Sequence, residues 1–487
     1  MSNEKTNLPK QILQYGIFSS ITKSVPFLIL PIITRRFSTE DIGLVDAVEL
    51  QAALIAVVIE LSLSSAIARF YFEAKKNGDL KEFLSTILLT ILIVGSGGVM
   101  LTWTFSSSIS LLLLDSPAMY GYILYGAVFG FLIPILGCSD IILRMEREVL
   151  KFNLANLIQA LTYTGVIFWL VIKKSSNIEG LLIAMMFMYI AKLVLHGWWL
   201  RSKFGIQYSS KYLKKGLSYS LPLMPAVGIS ILNRQVDRMM IIHFYGLLAL
   251  GIYAVAAKFI LFIQLVAQAF RLAWEPYAIS LIDSQDRDRV YKRSMNKYAW
   301  MMTLVGLSLV FVSPELMTII APKNYNEGLV IIPWVVGALI FHTSASITNI
   351  GVLISKKTYK NSIVTILGFG TNLVLTYFLL PNFGLQGAAL GSFIASGIFT
   401  IGLCLQSYKE VDLRFDHSKL WGAILCYCLF SVVFISILNY VSHYYLGILM
   451  RALSLGALVL VLNLMFGLSE ELRRAKKSSL EFLKKRV

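Results

Sequence analysis

A chain of 487 residues that is 57% hydrophobic and only 15% charged, with a mean hydropathy of +0.71, is not built like a soluble domain, which carries about 25% charged residues. It reads as an all-α polytopic membrane protein. The net charge of +17 would suggest nucleic acid in a soluble chain, so the basic residues must first be sorted by position.

Ten mostly polar residues precede a first predicted span over 12–34. It is longer than the apolar core of a cleavable signal and is interrupted by Lys23 and Pro26, so it is expected to be a retained helix. Lys23 falls near the bilayer centre, where a charge costs about 2.5–3.5 kcal/mol and faces protein or a watery cavity. Tyr15, Ser19, Thr22, Lys23 and Pro26 share one helix face. That stripe fits a cavity wall or an interhelical ion pair.

The second span, 42–66, carries a matching stripe of Asp46, Glu49, Ala53, Ala56, Glu60 and Ser64. Burial raises a carboxyl pKa and a nearby cation lowers it, so a carboxylate held between the two is a candidate proton or Na⁺ site. Asp46, near the outer interface, is expected to be solvated. Glu49 and Glu60 are the candidates here, with Glu60 the deeper; Glu60 as a structural partner of Lys23 stays open. Spans at 83–106, 119–141, 152–172 and 180–200 follow.

The seventh span, 217–243, opens on Pro222 and Pro225 and gathers Ser230, Asn233, Arg234, Asp237 and Arg238. Asp237 can neutralise one arginine but not both. The surplus guanidinium is shaped for bidentate contact with phosphate oxygens. Asp237 is a third coupling candidate. In the eighth span, 251–274, Gln264, Gln268, Arg271 and Glu275 share a face while Lys258 points elsewhere. Arg271, near the cytoplasmic end, is expected to snorkel, as are Arg69 and Arg451 at other span ends.

Spans at 296–320, 328–353, 361–380, 385–406, 419–441 and 446–467 bring the total to about fourteen, with both termini on one side. Most of the 44 Lys and Arg residues sit in the termini and even-numbered breaks, and the odd-numbered breaks hold only Arg35, Arg36, Lys173, Lys174 and Lys323. Both termini are therefore expected in the cytoplasm. The same asymmetry explains most of the positive charge without nucleic acid. The four cysteines lie in apolar segments and read as small buried hydrophobes, with no disulfide or metal site implied. His196 and His342, within spans, read as packing or hydrogen-bonding residues. No P-loop or H-E-x-x-H occurs, and no break is long enough for a catalytic domain, so no enzyme and no cofactor are expected.

The chain also repeats. The segment from Phe37 through Gly43 aligns with Tyr245 through Gly251, and Ile178-Glu-Gly180 aligns with Leu385-Gln-Gly387, at offsets of 208 and 207. Two six-helix lobes in parallel orientation are predicted, 1–205 and 206–410, with 411–487 adding two helices and a basic tail. A site is expected between the lobes.

Arg36-Phe-Ser-Thr-Glu-Asp-Ile-Gly-Leu, and Glu60-Leu-Ser-Leu-Ser-Ser-Ala-Ile-Ala-Arg69-Phe, resemble the N-terminal signature of polysaccharide transporters. So do Leu221-Pro-Leu-Met-Pro, Asn233, Asp237-Arg238, Gly251-Ile252-Tyr253 and Leu380-Pro-Asn-Phe-Gly-Leu-Gln-Gly. The chain is similar to Wzx-type lipid-linked oligosaccharide flippases, in the superfamily that includes multidrug exporters and lipid II flippases. The resemblance implies two lobes around a cavity that alternates between membrane faces of a bacterial inner membrane. It also implies a polyprenyl-pyrophosphate-linked oligosaccharide (O-antigen, capsule or exopolysaccharide) as cargo, in exchange for H⁺ or Na⁺. A polysaccharide polymerase and a chain-length regulator are the implied partners, besides membrane lipids. Lys23, Arg234 and Arg238, with Lys258 and Arg271, are the candidates for holding the pyrophosphate. A lipid II flippase or a drug/cation antiporter is the alternative, with a membrane glycosyltransferase or polymerase behind them. Two helices beyond twelve suit a lipid-handling member better than a drug exporter.

Overall fold

Residues 22, 25, 27–172, 177–282, 284–355, 359–411, 417–441 and 443–466 are described in a computed structural model of the chain. Lys23 and most of its polar stripe lie outside the described residues. No strand occurs among the described ones.

Helix α1, described over 27–36, turns at Phe37 into α2 (Thr39–Glu60). The turn is written locally: Ser38 Oγ accepts from the Asp41 amide and Asp41 Oδ2 accepts from the Ser38 amide, each at 3.0 Å. This reciprocal cap satisfies donors that the first helical turn leaves open. The predicted span 42–66 does not run through. Leu61 and Ser62 both take positive φ (47° and 55°), and α3 (Leu63–Asn77) starts anew. For non-glycine residues that conformation costs about 1–2 kcal/mol each, so the break beside Glu60 is held by its surroundings rather than by local preference.

The chain continues through α4 (Leu80–Thr104), α5 (Ser106–Leu114), α6 (Tyr120–Met145), α7 (Val149–Ile172) and α8 (Ile178–Leu200). The seventh predicted span is fragmented into α9 (Ser210–Ser220), a 3₁₀ turn (Leu221–Leu223), α10 (Met224–Asn233) and the start of α11 (Val236–Ala257). Pro222 and Pro225 account for the first break, since each lacks an amide donor. α9 packs against α3 and α4, whereas α10 packs against α16 (Tyr359–Phe383) and α2. Within α11, Gly246 (φ 74°, ψ −169°) turns the chain back, a backbone state that only glycine adopts without strain. The rest comprises α12 (Ile260–Ser280), α13 (Arg287–Ile320), α14 (Ile332–Thr348), α15 (Ile350–Ser355), α17 (Leu385–Val411), α18 (His417–Tyr440) and α19 (Tyr444–Phe466).

Eleven helical stretches among the described residues are long and apolar enough to cross a membrane, against the fourteen predicted. The difference has local causes. The first span is mostly undescribed, the proline-broken seventh gives way to one run over Val236–Ser280 that includes the eighth, and the fifth, α7, is not among the eleven. Large apolar side chains face outward, among them Ile93, Leu112, Leu367, Leu453 and Leu464. A water-soluble surface does not tolerate that much contiguous apolar area, whereas hydrocarbon does.

Helix starts recur with the spacing of the sequence repeat: Thr39 and Leu247 open the helices after equivalent turns, then Leu80 and Arg287, then Ile178 and Leu385. The repeat-equivalent glycines meet in space. A Cβ on Gly43 would strike the Leu247 carbonyl and one on Gly251 the Thr39 carbonyl, and each would lie about 3 Å from the other glycine's amide nitrogen. α2 and α11 therefore cross backbone to backbone, as small residues allow. α18 and α19 pack on α13, and Arg451 of α19 pairs with Glu315 of α13 at 2.5 Å. Arg451 is 6% exposed, so it is an interhelical anchor and not the snorkelling residue expected at a span end.

Away from the apolar spans, Glu146 at the end of α6 binds Lys75 and Lys203, each at 3.1 Å, and accepts from Tyr71. Burial alone would raise its carboxyl pKa, but the bonds from Tyr71, Lys203 and Lys75 outweigh it and hold the group at about 2. With the folded pKa depressed, this stabilisation is complete above the ordinary carboxylate range and is lost as pH falls towards about 2. Glu146→Gln is expected to lower the melting temperature in detergent at pH 7, with the difference shrinking as wild type and variant are compared at successively lower pH. A difference independent of pH would rule the ion cluster out as its cause.

Candidate functional site

The polar residues of the seventh span fall at the α10–α11 break, and the structure separates charges that the sequence groups together. Asp237 makes no ion pair among the described residues. Its Oδ1 accepts from Ser392 of α17 at 2.6 Å and its Oδ2 from Tyr253. Ser392 also donates to Asn372 Oδ1 at 3.3 Å, and Asn372 reaches Asn233 at 3.2 Å and accepts from Thr376 at 3.2 Å. Asp237 is thus embedded in an oxygen-rich network joining α10, α11, α16 and α17.

Arg238 is neutralised from the other half of the repeat: its Nε donates to Asp46 Oδ2 of α2 at 2.6 Å. Asp46 is 6% exposed, so the solvated aspartate expected at the interface is instead a buried interhelical partner. The reason is geometric. The Gly43–Gly251 crossing brings the α2 and α11 backbones together, and Asp46, less than one turn on from Gly43, meets Arg238 on the stretch of α11 before Gly246. Three further contacts gather at this end. Thr34 Oγ1 donates to the Ile320 carbonyl at 2.5 Å, Arg35 donates to Ile319 at 2.8 Å, and Asn324 donates to Thr39 Oγ1 at 2.7 Å.

Next to this bridge lies a cavity of about 180 Å³ whose lining includes Asp46, Glu49, Tyr163, Met185 and Lys258. It takes walls from both halves of the repeat. Glu49 is exposed, and that surface faces the cavity. Lys258 occupies the break between α11 and α12, within electrostatic reach of Glu49, and has no hydrogen bond or ion pair among the described residues. Arg234 caps α10, is exposed, and its side chain likewise has no bonded partner there; its charge reaches His342 of α14. Its carbonyl accepts from Arg238 Nη1 at 3.4 Å, which ties the two arginines to one break.

The remaining candidates lie elsewhere. Arg271 is more than half exposed and pairs loosely with Glu275 at 3.8 Å, as a snorkelling residue would. Glu60 ends α2, near Cys138 of α6, with no ion-pair partner among the described residues. Lys23, its proposed neighbour, is outside them. Sequence reading passes over Asp140 and Lys192, which pair at 2.8 Å inside the α6–α8 group. Each interrupts an apolar span, the same signal that singles out Lys23.

Rigidity of the α2–α11 crossing has a direct test. Gly43→Val inserts side-chain atoms where the Leu247 carbonyl lies, and overpacking of this kind costs about 1–3 kcal/mol. The closed contact is then expected to lose roughly 5- to 150-fold in population. Cross-linking of a Thr39→Cys/Asn324→Cys pair by a short reagent reads this: strong with Gly43, weak with valine. Equal cross-linking would show that the crossing tolerates bulk.

The helical architecture has counterparts among solved structures. It superposes on the lipid II flippase MurJ in an inward closed conformation with a TM-score of 0.72, at 18% identity, over 93% of this chain and 98% of that one. An inward-facing multidrug resistance MATE family transporter matches with a TM-score of 0.65, at 16% identity, over 80% of this chain and 94% of the other. The chain belongs to the polysaccharide biosynthesis protein family, whose profile matches residues 9–282. Within reach by sequence is the capsular polysaccharide biosynthesis protein CapF of Staphylococcus aureus, 21% identical over 77% of this chain and 92% of its own length.

Proposed function

We propose that the protein flips polyprenyl-pyrophosphate-linked oligosaccharide repeat units from the cytoplasmic to the outer leaflet of a bacterial inner membrane. Residues 1–205 and 206–410 act as two lobes, and 411–487 is appended to the second. The observation that carries the reading is a pair of cations without a bonded partner among the described residues, Lys258 in the lining of an interlobe cavity and Arg234 at the end of α10. They bind the pyrophosphate, which cannot cross about 30 Å of hydrocarbon unaided. Arg238 is occupied by Asp46 and works as a latch rather than as a cargo ligand.

Positive-inside orientation makes the Thr39 end of α2 the outer one. The contacts at that end then form the outer closure, and transport requires Gly43 and Gly251 to separate while the opposite end closes. Exchange with H⁺ or Na⁺ drives the cycle. Among the three coupling candidates, Asp237 has the densest set of oxygen ligands around it, while Glu49 faces the cavity and Glu60 sits at the α2 break. Membrane lipids and the enzymes that polymerise the flipped unit are the partners; the chain itself catalyses no bond change.

A drug/cation antiporter would present a net acidic cavity; here Arg238 neutralises the lining Asp46 and Lys258 stands against the lining Glu49, with Arg234 a further cation at the break that carries Arg238. The test is complementation. The gene is expected to restore surface polymer to a bacterium lacking its repeat-unit flippase and to fail in cells depleted of their lipid II flippase. Rescue of the second strain alone would overturn the cargo assignment, and drug resistance without polymer would favour the antiporter.

A further inference from the structure

Inside the α6–α7–α8 group lies a buried polar cluster, no member of which lines the cavity beside the Arg238–Asp46 bridge. Lys192 Nζ donates to Asp140 Oδ2 and to Asn156 Oδ1, both at 2.8 Å. His196, one turn further along α8, is 1% exposed and Lys192 is 5% exposed. His196 Nε2 stands 3.4 Å from Asp140 Oδ1. That oxygen and both ring nitrogens are buried without a hydrogen-bond partner among the described residues.

A packing pair of Asp140 and Lys192 needs no histidine, and a neutral buried imidazole ordinarily satisfies at least one nitrogen. Here an unpaired carboxylate oxygen faces an unpaired ring nitrogen just beyond the 2.7–3.2 Å of an N–H···O bond. The neutral ring completes that bond with its hydrogen on Nε2 after a small approach, and a second proton, taken up on Nδ1, makes the ring a cation. That uptake leaves two cations against one carboxylate, a surplus buried charge that the α6–α7–α8 packing must accommodate by shifting or by admitting water.

The groups facing the ring come from each neighbouring element. α6 supplies Asp140 and Arg144; the Arg144 guanidinium lies 5.4 Å from the Phe152 ring centroid and donates to the Asp140 carbonyl at 3.3 Å. α7 supplies Asn156, bonded to Lys192. From α8 itself comes Lys192, whose charge reaches the ring; Glu60 of α2 lies by Cys138 of α6. Lys203, just past α8, is held by Glu146.

We propose that Asp140, Lys192 and His196 form a site for one proton, taken up by His196 while its Nε2–H is held against Asp140 Oδ1, which makes the first lobe responsive to the proton gradient. The inference rests on the transport reading above, and histidine suits it because its charge changes between about pH 5 and 8 with modest help from its surroundings.

The test uses the full chain in two ways. In nanodiscs, ¹⁵N-histidine spectra assign His196 by the signal missing from His196→Gln. The signal is expected to change protonation state between about pH 5 and 8, with a midpoint displaced in Asp140→Asn and in Lys192→Gln. In vesicles carrying a fluorescent polyprenyl-pyrophosphate-linked sugar, the ratio of flipping with and without an imposed pH gradient is expected to exceed about ten in wild type and to fall to about one in His196→Gln. A retained ratio in His196→Gln, or a His196 signal invariant over that pH range, overturns the proton site and leaves the transport reading intact. If the wild type flips nothing, the transport reading fails, and the spectra alone still decide the proton site.

Discussion

Arg234→Gln is expected to lower flipping of a pyrophosphate-linked sugar by roughly 10- to 100-fold while leaving the protein inserted and folded. A hydrogen bond to a charged group contributes about 1.5–3 kcal/mol, and each 1.4 kcal/mol is a factor of ten. The fold has little stake in this side chain, since it is exposed and makes no bond among the described residues. Substitutions at such positions ordinarily change stability by less than about 0.5 kcal/mol. Arg234→Lys should recover part of the rate, because the charge remains but the two-pronged geometry that matches phosphate oxygens is lost. Rates and surface polymer unchanged in Arg234→Gln would remove Arg234 from cargo contact and leave Lys258 as the cationic ligand.

Arg238 is expected to behave differently although it is one helical turn away. Its partner Asp46 has a side chain only 7% exposed, so Arg238→Gln strands a carboxylate inside the α2–α11 crossing. Breaking one partner of a buried pair costs about 3–5 kcal/mol, whereas replacing both is often nearly neutral. The single variants Arg238→Gln and Asp46→Asn should therefore weaken the Thr39–Asn324 cross-link and lower the melting temperature. The double variant should recover most of both. A double variant as impaired as the sum of the singles would mean that the two residues act separately, and a cargo role for Arg238 would regain support.

Much of this was legible in the sequence, but unevenly. Apolar run length and the placement of Lys and Arg give a polytopic helical chain, because hydrocarbon thickness and insertion physics act on composition directly. The repeat was legible from two weak glycine matches, and Gly43 and Gly251 turn out to face each other, since only a residue without Cβ permits that approach. Pairing was not legible. On one helix Arg234, Asp237 and Arg238 look like a self-contained triad, yet Asp237 is bonded by Tyr253 and Ser392, and Arg238 by Asp46, nearly two hundred positions earlier. Such partners are set by helix packing, which spacing along a single helix does not encode. The same applies to Arg451 with Glu315 and to the Asp140–Lys192–His196 cluster. Breaks were half legible. Pro222 and Pro225 announce theirs, but nothing in Leu61-Ser62 signals two left-handed residues, because neither residue favours that conformation.

The central claim is that the cavity recognises the pyrophosphate of its cargo. It is tested most directly by reconstituting the protein in vesicles with one oligosaccharide carried on two lipids, a polyprenyl pyrophosphate and a neutral polyprenyl ether of equal length. The account predicts rapid flipping of the first, loss of that flipping in the Arg234→Gln/Lys258→Gln double variant, and little transport of the second. Equal transport of both lipids, or transport of the first undiminished in the double variant, would contradict it.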